Sequence, residues 1–180
     1  MPLKLDKISV LVVEDIAPMR KLIVGVLEAL EIGKIMTADH GGSGFRTFKN
    51  FNPDVIITDW EMEPISGFEM IQKIRSDPSS PNKTVPIILI TGYSSKSRVV
   101  QARDIGVTEF LTKPFTGHDL TKRIEHIINK PRDFVETSSF FGPDRRRRKI
   151  DDYSGPSKRE SDEGQKPVSS KDIPWDIIIN

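Results

Sequence analysis

Five residues have side chains suited to chemistry and share a local context, because each follows directly on a short apolar run. Ile8–Val13 runs into Glu14-Asp15, Asp54–Thr58 into Asp59, Pro86–Ile90 into Thr91-Gly92, and Glu109–Leu111 into Thr112-Lys113-Pro114. If these runs end at one place, three carboxylates, a hydroxyl and an ammonium share a site. Carboxylates held close repel one another, and their pKa values rise unless a cation sits among them. Lys113 can balance one charge. Oxygen ligands with positions left open for water suit Mg²⁺. A carboxylate beside a metal and a lysine is a competent nucleophile toward phosphorus, as in aspartyl-phosphate chemistry. The two cations would neutralise charge on the equatorial phosphoryl oxygens.

That chemistry requires the runs to be parallel neighbours, and the intervening sequence agrees. "VIITD" and "IILITG" are continuously apolar, as strands buried on both faces must be; Lys34–Ala38 reads as one more strand. Met19, Leu22, Ile23, Val26, Leu27 and Leu30 recur at helical spacing between Pro18 and Gly33. Helices are likewise read over Gly44–Phe51, Phe68–Arg75, Lys96–Ile105 (closed by Gly106) and His118–Asn129 (stopped by Pro131). "HGGSG", residues 40–44, lacks the ending of a phosphate loop and reads as the turn into the second helix. Strands that alternate with helices imply an α/β fold: a flavodoxin-like, doubly wound, five-stranded parallel sheet with right-handed crossovers. Such sheets bind ligands beyond the carboxyl ends of their strands, where the five residues fall.

Taken together, Glu14-Asp15, Asp59 with Met62 and Gly67 behind it, Thr91-Gly92, and Lys113-Pro114 with Phe110 three residues ahead resemble the receiver domain of two-component response regulators. The resemblance is to the chemotaxis-type single-domain form. The resemblance spans residues 6–130. It implies that Asp59 accepts a phosphoryl group from a histidine kinase and that Glu14 and Asp15 bind Mg²⁺, Asp15 directly and Glu14 through water. Asp59 itself and the backbone carbonyl of Glu61 complete the metal shell. By the same resemblance Lys113 pairs with the phosphoryl group, Thr91 hydrogen-bonds it, and Phe110 is the aromatic that moves inward in response. The face of the fourth helix, fifth strand and fifth helix is thereby reshaped and is expected to bind the kinase or the downstream protein target. Glu61 and Tyr93 occupy positions that tune phosphoryl lifetime; Glu61 could orient the attacking water or simply add repulsion. The chain departs from the family pattern at Glu63, which separates Met62 from Pro64, and at Ser66, where an acidic residue is common.

Beyond Pro131 the composition shifts to Ser, Pro, Gly and balanced charge, so residues 131–180 read as an extension that buries too little apolar surface to pack. Three features stand out within it. "SFFG", residues 139–142, sets two phenylalanines in a polar stretch, which calls for a partner. Arg145–Lys149 is a basic run diluted by Asp144, Asp151 and Asp152, and Pro174–Ile179 is apolar. These features leave two further roles open: a shuttle passing the phosphoryl group to a histidine phosphotransfer protein, and an adaptor whose tail binds a protein or nucleic acid. A formal net charge of +1 and the lack of a groove-reading motif argue against nucleic acid. The absence of cysteine excludes thiol catalysis and disulfides. No apolar stretch approaches the roughly 18 residues of a membrane span, and the first residues lack a signal-peptide core. The expected location is the cytoplasm.

Overall fold

A computed structural model of the protein describes residues 5–92, 95–137, 140–144 and 166–168. After a 3-10 turn at Leu5–Lys7 the chain forms β1 (Ser9–Val13), α1 (Ala17–Ala29), β2 (Lys34–Ala38), α2 (Gly41–Phe51) and β3 (Val55–Asp59). Then come α3 (Gly67–Ser76), β4 (Ile87–Thr91), α4 (Lys96–Asp104), β5 (Glu109–Thr112) and α5 (Gly117–Asn129). The strands form one parallel sheet in the order β2-β1-β3-β4-β5, as expected for a doubly wound fold. The order reverses between β1 and β3, which places the crevice at their carboxyl ends.

Alternation along each strand divides the interior in two. Val10, Val12, Ile57 and Ile88 face α1 and α5, where Ile23, Leu27, Leu120 and Ile124 meet them. Leu11, Val13, Ile56 and Leu89 face the other way, toward Phe45 and Phe48 of α2 and Met70, Ile71 and Ile74 of α3. All residues of β3 and β4 are buried. Each large aliphatic side chain buried in this way stabilises the fold by about 1.5–3 kcal/mol. That anchoring lets the sheet hold polar groups rigidly at its rim.

Helix α2 begins three residues earlier than its apolar spacing suggests. His40 caps it, its Nδ1 accepting the amides of Gly42 (3.0 Å) and Ser43 (3.4 Å). Glycine is needed in that first turn because a Cβ on Gly41 would lie 2.4 Å from the Ser66 carbonyl oxygen. Helices α3 and α5 open with reciprocal caps, Ser66 with Glu69 and Thr116 with Asp119.

The first part of the extension does pack, contrary to what its composition suggests. Phe134–Glu136 (β6) and Phe141–Pro143 (β7) form an antiparallel pair, and Lys166–Val168 (β8) joins the other side of β6. Phe134 is 3% exposed. Composition averaged over the whole extension conceals this segment, whose few apolar residues are matched to a particular surface of the domain. Arg145–Lys149 and Pro174–Ile179 lie outside the described residues. Among the described residues no helix is long and apolar enough to cross a membrane.

Candidate phosphoacceptor and metal site

The parallel register brings the strand ends together. Val13 of β1 pairs with Thr58, Asp59 with Ile90, and Thr91 with Thr112. Glu14, Asp15 and Asp59 each offer a carboxylate oxygen, and these oxygens all lie within 4.8 Å of one another. Lys113 enters from the far side. Its Nζ donates to Asp59 Oδ2 at 3.0 Å and to Glu14 Oε2 at 3.2 Å. The other Asp59 oxygen accepts the Trp60 amide at 2.7 Å. The main chain fixes each contributor: Lys113 N–H donates to the Thr91 carbonyl (2.7 Å) and Trp60 N–H to the Ile90 carbonyl (3.1 Å).

Burial is graded across the cluster. Glu14 is fully buried, Asp59 is 9% exposed, and Asp15 is open to solvent. Burial pushes the Glu14 carboxyl above its ordinary pKa and the Asp59 charge adds to the rise, with Lys113 and the Ile16 amide opposing it. For Lys113, burial pulls the ammonium down. The hydrogen bond to Asp59 and the charges of Asp59 and Glu14 outweigh it, so its pKa is held above the ordinary value. Burial thus leads the Glu14 shift, while the negative charge of Asp59 adds to it and, with that of Glu14, also holds up Lys113. Three hard oxygens, one of them on an exposed residue, suit a small divalent cation such as Mg²⁺.

The remaining site residues read from the sequence divide. Thr91 is buried at the adjoining strand end, and Phe110 is half-buried and packs against the second core. Glu61 turns its carboxylate to Arg98 of α4, at 3.3 Å. Tyr93 lies outside the described residues. Three contributors have no strong local signal. Arg20, one helical turn into α1, donates to the carbonyls of Glu14 and Asp15. Arg98 lies 4.9 Å from the Trp60 ring centre, and Trp60 stacks on Phe68 at 5.4 Å. Ser66, which replaces an acidic residue common in the family, accepts the Glu69 amide as the cap of α3. Its S-x-x-E spacing is the one signal from which that role is legible.

Gly67 sets the shape of the wall behind Asp59. A Cβ there would lie 1.8 Å from the Asp59 carbonyl oxygen and 2.7 Å from Thr58 Oγ1. The Gly67 amide donates to the Trp60 carbonyl at 3.0 Å, so α3 starts against the end of the strand that carries Asp59.

Fold and site define an open α/β protein whose switch-point crevice holds a cation-seeking carboxylate cluster opposed by a lysine. The chain belongs to the response regulator receiver domain family, whose pattern it matches over residues 10–125. It is 35% identical over 121 residues to chemotaxis protein CheY1 of Helicobacter pylori, a match covering 67% of this chain and 96% of that protein. To a chemotaxis protein CheY homolog of Campylobacter jejuni it is 32% identical, over 67% of this chain and 92% of the relative. The crystal structure of Vibrio cholerae chemotaxis protein CheY4 aligns with a TM-score of 0.61 at 27% identity, covering 67% of this chain and 98% of that one. Each comparison nearly exhausts the relative and leaves a third of this chain unmatched.

Proposed function

We propose that this protein is a phosphorylation-controlled signalling switch that takes a phosphoryl group from a histidine kinase onto Asp59. Membership of the receiver family implies phosphoryl acceptance and signalling. The observation that carries the assignment to Asp59 is its position, with Oδ2 on Lys113 Nζ at 3.0 Å and a carboxylate oxygen within 4.8 Å of oxygens of Glu14 and Asp15. An Asp59 oxygen attacks the phosphorus of an N-phosphohistidine. The P–N bond breaks, its electron pair goes to the imidazole nitrogen, and that nitrogen takes up a proton from solvent. A P–O bond now makes Asp59 an acyl phosphate, and water attacking phosphorus later restores the carboxylate.

Lys113 already touches the nucleophile, so its ammonium needs little reorganisation to meet charge on the transferring oxygens. The Trp60 amide holds the Asp59 carboxylate in one orientation. Glu14, Asp15, Asp59 and the Glu61 carbonyl are the groups that would hold Mg²⁺, which would supply charge neutralisation at the phosphoryl oxygens. Thr91 and Phe110 are the residues through which the new charge reshapes the surface of α4, β5 and α5, a two-state element biased by a local electrostatic event. Val99 and Val100 of α4 are exposed there and suit an apolar contact with the downstream target. Glu61 and Tyr93 tune the lifetime of the acyl phosphate, Glu61 under the restraint of Arg98. The relatives are chemotaxis proteins, and a cytoplasmic regulator of comparable logic is the corresponding role.

The test is phosphorylation by a small-molecule phosphodonor, followed by intact mass. One phosphoryl group should add in the presence of Mg²⁺, none after chelation, and none to Asp59→Asn. A phosphoryl group retained in Asp59→Asn, or no mass increase in the parent, would overturn the assignment.

A further inference from the structure

The end of the sheet opposite the carboxylate cluster carries a second organised polar site. Arg75, at the last turn of α3, is buried, with its guanidinium pulled down to about 9 by that burial and still charged at neutral pH. It donates to the carbonyls of Gly106 (2.8 and 3.2 Å), Lys83 (2.6 Å) and Val85 (2.8 Å). Those carbonyls belong to the segments that enter β4 and β5. The cation thus ties α3 to the α4–β5 junction and the start of β4, with no carboxylate of the described residues paired to it.

The lid over this arginine is the extension. The Phe134 ring centre lies 5.0 Å from the Arg75 guanidinium carbon, and Phe141 packs on Phe134 at 5.8 Å. The fit at the junction leaves no spare room. Gly106 has a φ of +88°, and a Cβ on it would lie 3.1 Å from both Arg75 Nε and the Phe141 carbonyl oxygen. A Cβ on Gly142 would lie 2.9 Å from the Gly106 Cα. The Asp144 amide closes the hairpin on the Asp133 carbonyl at 2.7 Å.

A separate set of contacts grips the same junction. Glu109, first residue of β5 and 7% exposed, receives Arg132 of the extension at 3.4 Å. It also receives Arg123 (3.1 Å) and His126 (3.0 Å) of α5. Residues 106–109 are therefore held by the extension on two sides. Phe110 follows directly, and Lys113 follows four residues after Glu109. The relatives described above align almost end to end with the receiver portion, so these contacts are an addition to the domain.

We propose that the β6–β7 hairpin is a built-in brake. Docked on Arg75, Gly106 and Glu109, it favours the β5 position in which Lys113 bonds the free carboxylate of Asp59, and occupation of the acceptor site weakens that docking. The proposal rests on the phosphoacceptor reading. Linkage makes the effect reciprocal: the factor by which occupation of the acceptor site weakens docking is the factor by which docking weakens binding of a phosphoryl mimic, so loosening the hairpin tightens that binding by up to this factor. The output of the switch then includes release of the extension, besides any change on the α4–β5–α5 face.

The test uses the full chain with Trp175→Phe, so that Trp60 reports. Binding of beryllofluoride at saturating Mg²⁺ is titrated in this parent, in Phe141→Ala and in Arg132→Gln, with hydrogen exchange followed over residues 105–109 and 133–143. In the parent, beryllofluoride should raise exchange in both segments. Phe141→Ala should exchange faster over 133–143 without ligand and bind beryllofluoride about fivefold or more tightly, with Arg132→Gln shifting the same way. Faster hairpin exchange with affinities within twofold of the parent would overturn the brake and leave the acceptor assignment standing. A parent silent toward beryllofluoride would overturn the acceptor assignment, and the brake with it. If Phe141→Ala fails to fold, Arg132→Gln decides, because it removes a half-exposed side chain from the rim and leaves the packed rings intact.

Discussion

Replacing Gly67 with alanine tests whether the acceptor is held by close packing of α3 on the end of β3. Gly67 is not in the left-handed region, so alanine suits the backbone there and the effect is purely steric. The added Cβ would begin 1.8 Å from the Asp59 carbonyl oxygen, whereas Cβ contacts essentially never fall under 3.0 Å. Helix and strand must therefore part by at least the difference, 1.2 Å. Overpacking of this kind costs about 1–3 kcal/mol. Separation also weakens the Gly67 N–H to Trp60 carbonyl bond, adding about 0.5–1.5 kcal/mol. The expected loss is about 2–4 kcal/mol. With a urea dependence of about 2 kcal/mol per molar, the unfolding midpoint should fall by about 1–2 M. Because a misplacement near 1 Å costs about a hundredfold in rate, phosphorylation by a small phosphodonor should slow by that order in the folded variant. An unfolding midpoint within about 0.3 M of the parent, together with an unchanged rate, would refute the reasoning.

Three further outcomes follow from the same geometry. Lys113→Met removes the charged one of the two groups that oppose the rise of the Glu14 pKa, so that pKa should climb further. A carboxylate with a raised folded pKa binds protons more readily when folded, so its share of stability falls as pH rises from about 4.5 through the folded value. The urea midpoint of the variant should therefore trail the parent by more at pH 7 than at pH 5, with Mg²⁺ narrowing the gap at pH 7; an equal gap at both would refute it. Arg75→Met leaves the carbonyls of Gly106, Lys83 and Val85 without their charged donor, and should cost at least about 3 kcal/mol in urea unfolding. Arg98→Ala, at an exposed pair, should cost less than about 1 kcal/mol but uncover the Trp60 ring, seen as a red shift of its emission in the Trp175→Phe background; unchanged emission would show that Arg98 does not shield the indole.

What the sequence discloses is what depends on strand order alone. β3 and β4 are continuous apolar runs buried on both faces, so their ends, and the residues there, could be located by inspection. Once the strands are parallel, Glu14, Asp15, Asp59 and Lys113 converge without further information. The start of α2 is hidden because two glycines resemble a loop, and only the approach of the Ser66 carbonyl explains them. The pairing of Glu61 with Arg98 spans 37 positions and has no local signature. Phe134 and Phe141 lie in a stretch whose average polarity masks them, and the surface they cover is built from Arg75 and Gly106, far away in the chain. Reciprocal fits between distant segments carry no periodicity, and periodicity is what makes a sequence legible.

The two sides of the sheet differ in kind as well as position. Among the described residues, the buried side chains on the α1 and α5 side are isoleucine, valine and leucine, with Met19 and Phe115 packed against them. Those toward α2, α3 and α4 include Phe45, Phe48, Trp60, Met62 and Met70, with Phe68 and Phe110 packed against them. β-Branched aliphatics are stiff at χ1, whereas the unbranched thioethers of Met62 and Met70 adapt to changes of shape around them. The domain is thus mechanically asymmetric, a stiff half joined through the sheet to a half that can be repacked. A shape change driven by the proposed phosphorylation of Asp59 has a side on which to happen, with the α1–α5 half as the frame against which it is registered.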